Sequence, residues 1–188
     1  MVVEALRDFF KRRRFSKDFR KMQELTERFV SSAQDLAKKD GYENALNPME
    51  VLVLGTFLVV EIYLGFSRNK TYASDVLDEF HKFAAEWLFN LNLSSLQETF
   101  PGQNIDAMYD QFMRLFYDKV KERYSEYRSV MLDQSGLFKF SERHLFEIGK
   151  HLLKPSSDTD ADGRKVITFA FGLAVVDHMS RCTKSLKH

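Results

Sequence analysis

Three groups of side chains in this chain have the types and spacing for chemistry, and a fourth has those for binding. The first is His144, Glu147 and His151. Spacings of three and four put them on one face of a helix, and imidazole, carboxylate and imidazole together suit zinc or iron. Asp177 or His178 is the natural source of a fourth ligand. The Glu-x-x-His repeats of helical di-metal sites do not occur in the sequence. A Phe-rich helical chain with spare histidines also admits haem, with no further pocket residue to name. The second group is Glu61 and Asp177, two acids set in apolar runs. Glu61 follows Leu54, Phe57 and Leu58 at seven, four and three residues, and Asp177 shares a face with Val166, Ala170 and Leu173. A carboxylate placed so must be paired or protonated. The pair is therefore expected either to line an internal ligand site or to be tied up in structural bonds. The third is Asp158, Asp160 and Asp162 before Gly163, the first half of a calcium loop. The second half fails, because Phe169 stands where the bidentate Glu belongs. Weak calcium binding or a plain solvated turn is what remains.

The fourth group is Phe9, Phe10, Arg12, Arg13 and Arg14, at the centre of a basic and aromatic N-terminus. Residues 1–21 hold eight Lys/Arg against three Asp/Glu, a net of +5, so the rest of the chain carries −4 against an overall +1. Cations interleaved with Phe suit an anionic membrane surface, an acidic protein or a nucleic-acid backbone, or else a helix docked by its Phe residues with a solvated basic side. No nucleic-acid-binding module accompanies them, and no nucleic acid is expected as partner. Arg13-Arg14-Phe15-Ser16 also has the form of a basophilic-kinase site. Cys182 is the only cysteine. It excludes an internal disulfide, fits a reducing, cytoplasmic setting, and is expected to be a half-exposed spectator thiol. No Gly-rich phosphate loop, nucleophile elbow or zinc-type cysteine spacing is present.

The elements that must position these residues are helices. The run Val51–Phe66 is apolar on every side apart from Glu61. Asn47 is placed to cap it, Pro48 to start it, and Glu50 to reach back as a capping-box partner. It falls short of the ~20 residues of a membrane span, so it is expected as the buried centre of a bundle. Helical periodicity then places a short helix at 3–13 and a second from a Ser16 cap to Lys39, closed by Gly41. Further helices are expected at 74–90, from an Asn104 cap to 132 with Ile105 and Leu115 facing inward, at 141–153 and at 165–180. No run alternates as a strand would. With 18 Phe, one Trp and three Pro, the expected fold is all-α: a single-domain bundle of six or seven helices, with 48–66 and 165–180 as two nearly all-apolar central helices and a frayed tail at 181–188. The expected function is a non-enzymatic interaction or regulatory module for an acidic partner or anionic membrane, with self-association possible. The alternative is a helical bundle holding a metal, haem or small ligand inside.

Overall fold

The computed structural model describes residues 2–39, 41, 46–67, 70–138, 147–149, 151–154 and 161–187, and the side chains of 1–15 lie outside what it describes. The protein is all-α. Its helices are α1 (Val2–Lys39), α2 (Pro48–Phe66), α3 (Lys70–Thr99) and α4 (Ile105–Met131). A short α5 is described at 147–149 and 151–152, and α6 (Ala161–Leu186) closes the chain. Extended pairing among the described residues is limited to two isolated bridges, Leu46 with Leu153 and Leu132 with Phe138.

α2 is the hub, packed by α1, α3, α4 and α6. That surround is the reason it is apolar all round: every residue from Glu50 to Val60 is buried. Asn47 caps its start, with Oδ1 accepting from the Glu50 N–H at 3.4 Å, and Pro48 opens it. The buried Thr56 hydroxyl is satisfied by donating to the Leu52 carbonyl at 2.7 Å. Gly55 lets α1 approach closely, since a Cβ there would stand 2.7 Å from Phe29 Cδ1. By length and composition α2 is also sufficient to cross a membrane, and 72% of its apolar window is buried against the other helices.

Three expected helix extents differ, and so do two expected inner faces. α1 is one helix rather than two: residues 1–40 contain neither Gly nor Pro, and a serine inside a helix costs only a few tenths of a kcal/mol, so Ser16 does not interrupt it. α3 runs on to Thr99 because Ser95 and Thr99 accommodate each other, the Thr99 hydroxyl donating to the Ser95 carbonyl at 2.7 Å. Pro101 and Gly102 (φ 84°) then turn the chain. α6 continues through the expected frayed tail to Leu186, because Phe171, Val175, His178, Cys182 and Leu186 form one buried stripe. The same helix is not a second all-round core helix. Phe169, Leu173 and Val176 on its other side are exposed. Ile105 and Leu115 of α4, expected inward, are likewise exposed, while Met108, Phe116, Val120, Tyr127 and Met131 face the core.

Candidate functional site

The N-terminal arm is positioned by the register of α1. The Tyr63 and Tyr72 hydroxyls, at the end of α2 and the start of α3, both donate to Asp18 Oδ2, at 3.4 and 3.3 Å. Lys21 Nζ donates to the Ser185 carbonyl, at the end of α6, at 2.9 Å. Farther along, Phe29 packs on His178, and Val30, Gln34 and Lys38 meet Pro48 and Val51 around a hollow of about 260 Å³. α1 is therefore antiparallel to both α2 and α6. By residue 16 it has reached their ends, and residues 2–15 carry about 20 Å of helix past them. Phe9, Phe10, Arg12, Arg13 and Arg14 all lie on that overrun. The next two turns, Ser16, Lys17, Arg20, Lys21 and Glu24, continue the basic character along an open hollow of about 410 Å³.

The two acids read as an internal pair are not brought together. Glu61 stands at the edge of the core and accepts from Arg128 Nε of α4 at 2.7 Å, with the second guanidinium nitrogen at 2.5 Å. Asp177 is 62% exposed and accepts from Arg181 Nε, one turn on, at 2.7 Å. Its expected inner face is the outer one, because the buried stripe of α6 runs through Phe171, Val175 and His178 instead.

Of the His144, Glu147 and His151 group, His144 lies outside the described residues. Glu147 and His151 lie on α5, and His151 Nε2 meets Glu126 Oε1 of α4 at 2.6 Å. Asp158 and Asp160 also lie outside the described residues, and Asp162 falls in the first turn of α6, its side chain not described. Among the described residues no three His, Cys, Asp or Glu side chains assemble into a metal-holding group.

The largest polar arrangement among the described interior residues is one that spacing alone did not single out. Glu50 does not fold back as a capping-box partner. Its buried carboxylate turns to α4 and accepts from Arg123 Nε at 2.9 and 3.0 Å and from the Tyr127 hydroxyl at 3.2 Å, with Arg123 Nη2 at 2.9 Å and Lys119 Nζ at 3.5 Å. Arg123 Nη1 also donates to Glu126 at 2.7 Å. The chain Glu50–Arg123–Glu126–His151 thus ties the start of α2 to α4 and α5. Burial pulls Arg123 down, but the bonds and charges of Glu50 and Glu126 outweigh it, leaving the guanidinium above its usual range. Burial pushes Glu126 up, and Arg123 and His151 more than offset that, so its carboxyl titrates below the usual range. Tyr127 is pushed far up by burial and then by the Glu50 charge. A sequence signal existed: Arg123 lies three residues after Val120 and four before Tyr127, a cation on the inner stripe that demands an acid. Asp18, four residues before Met22 on α1, gives the same signal.

One half-buried and one buried histidine complete the described polar groups. His81 Nδ1 lies 2.8 Å from the Leu77 carbonyl and must carry the proton there, so Nε2 accepts from the Tyr124 hydroxyl at 3.0 Å. Burial lowers the His81 pKa, in keeping with that neutral tautomer. His178 Nε2 lies 3.4 Å from Cys182 Sγ. Burial pushes the imidazole down to about 4 and the thiol up to about 12. This is a neutral pair inside the core, not an activated thiolate–imidazolium couple, and Cys182 is fully buried rather than half-exposed.

No protein-family model, curated protein or solved structure matches the chain.

Proposed function

We propose that this chain is a non-enzymatic helical interaction or regulatory module whose basic N-terminal arm docks on an acidic protein partner or an anionic membrane surface. The observation that carries the reading is the overrun of α1. Residues 2–15 continue the helix past the ends of α2 and α6, and the same stretch concentrates the chain's positive charge. A helix bearing Phe9, Phe10 and Arg12–Arg14 brings apolar and cationic residues together within two turns. Each cation held near anionic lipid adds ~1 kcal/mol.

The test is binding of the full chain to vesicles with and without phosphatidylserine, over a range of salt. Replacing Arg12, Arg13 and Arg14 together by Gln removes about 3 kcal/mol of attraction, or about two orders of magnitude in affinity. The wild-type protein is expected to lose binding as salt rises, and the triple variant to have little left to lose. Equal binding by the two proteins at low salt, to vesicles and to acidic polypeptide alike, refutes the reading.

A further inference from the structure

The opposite end of the molecule carries the complement of the arm. α3 and α4 form a helical hairpin fastened at its base, where Phe89 meets Tyr109 and Phe112 edge-on and the Tyr109 hydroxyl donates to Glu86 at 3.0 Å. Beyond that base no residue from 90 to 107 is buried. The tip exposes apolar side chains at Leu91 (60%), Phe100 (46%) and Ile105 (45%). It is also acidic: between Lys82 and Arg114 the sequence has no Lys or Arg, and it has Glu86, Glu98, Asp106 and Asp110. Glu98 follows Leu91 by seven residues on α3, two turns along the same face. A projecting surface of exposed apolar side chains with carboxylates of one sign suits a partner of cations interleaved with apolar groups, and α1 of this chain has that composition.

The arm cannot reach its own tip. Arg123 and Tyr127 of α4 meet Glu50 near the start of α2, and Arg128 meets Glu61 near its end, so α2 and α4 run in the same sense. Ile105 therefore lies about 27 Å along α4 from Arg123, beyond the start of α2. The arm extends beyond the end of α2. The two complementary surfaces sit at opposite ends of one molecule.

We propose that the protein self-associates head to tail, the basic N-terminal arm of one copy seating on the acidic, apolar tip of the α3–α4 hairpin of the next. This rests on the reading of the arm as a docking element and names its acidic partner as a second copy of the chain. Such a contact is heterologous: wherever it does not close into a ring it leaves a free arm and a free tip at the ends of the assembly, and it then yields a series of sizes.

Charge reversal tests it. One variant carries Arg12→Glu, Arg13→Glu and Arg14→Glu, and the other Glu98→Lys, Asp106→Lys and Asp110→Lys, which turns the tip from −4 to +2. Sedimentation velocity at low salt should show the wild type as a concentration-dependent series above the 22.1 kDa monomer, collapsing to monomer at high salt. Each variant alone should remain monomeric, because its arm and tip then share a sign. Mixed one to one, the variants should associate again, since each arm finds an opposite tip. Helical content and melting by circular dichroism verify that both are folded. A wild type that stays monomeric at every concentration, a tip variant that associates like the wild type, or folded variants that fail to associate on mixing overturns the proposal. Vesicle binding separates it from the reading beneath it. A monomeric wild type that still binds phosphatidylserine vesicles through the arm defeats self-association and leaves the docking arm standing. A triple-Glu variant that binds vesicles and wild-type tips unchanged defeats both.

Discussion

Replacing Arg123 by Met tests whether the interior network fastens α4 to the start of α2. The side chain is 14% exposed and contributes three close nitrogen–oxygen contacts to Glu50, whose own side chain is 4% exposed. Removing one partner of a buried pair costs about 3–5 kcal/mol, because the remaining charge is stranded. Here Glu50 would retain the Tyr127 hydroxyl at 3.2 Å and Lys119 at 3.5 Å, so the loss belongs near the lower end, about 3 kcal/mol. With a urea m-value of about 2 kcal/mol/M, the midpoint should fall by about 1.5 M. Removing both charges, with Glu50→Met and Arg123→Met together, should restore most of the loss, leaving a coupling of at least ~2 kcal/mol between the positions. Urea unfolding followed at 222 nm reads all four corners of the cycle. A loss below ~1 kcal/mol for Arg123→Met, or additive losses in the double variant, refutes the reasoning.

Gly55→Ala should destabilise by about 1–3 kcal/mol, because the new Cβ would meet the buried Phe29 ring at 2.7 Å. Thermal melts of this variant with and without Phe29→Leu check that the clash is the cause, since trimming the ring should cost less in the Ala background. The buried His178 sets a pH dependence. Its folded pKa is lowered to about 4, so between there and 6.5 the unfolded chain binds a proton that the folded protein does not. Stability is then lost as pH falls through that window, by on the order of 3 kcal/mol for this group. His178→Phe should flatten the difference between urea midpoints at pH 7.5 and 4.5, and an unchanged difference contradicts the assignment. Cys182, fully buried and with its thiol pushed up to about 12, should resist a thiol-specific disulfide reagent in native buffer and react at once in denaturant. Rapid labelling of the native protein would place the sulfur elsewhere.

The helical class, the cap at Asn47 and the burial of α2 were legible because each follows from local chemistry or from a period that no neighbour can alter. The Asn104 cap is of the same kind, with Oδ1 accepting from the Asp106 N–H at 2.8 Å, as is Gly41 (φ 74°) after α1. The direction in which polar side chains reach was not legible. Glu50 has two possible partners in sequence terms, its own helix start and a cation on another helix. Only the tertiary arrangement of α4 against α2 decides for Arg123. Asp177 was placed on the wrong side for a related reason. α6 has apolar residues on two faces, Phe171–Val175–Cys182 and Phe169–Leu173–Val176, and period alone cannot say which of them meets the bundle. Cys182 and Leu186 extend the first stripe by two more turns, and that longer stripe is the one that is buried.

The arrangement of charge explains why the two ends can vary in sign without cost to the centre. The charged groups described at and inside the core have partners there: Glu50 and Glu126 with Arg123, Glu61 with Arg128, Asp18 with two tyrosines. The tip carboxylates Glu98 and Asp106 take no part in these pairs. The arm precedes Asp18, where α1 first contributes a described buried side chain, and the tip lies between Phe89 and Met108, where α3 and α4 last do so. The arm, by its composition, and the tip carry opposite signs, and the fold places them toward opposite ends of α2. That separation makes charge reversal at either end a probe of association rather than of folding, and it is why binding, not stability, is the quantity such variants should change.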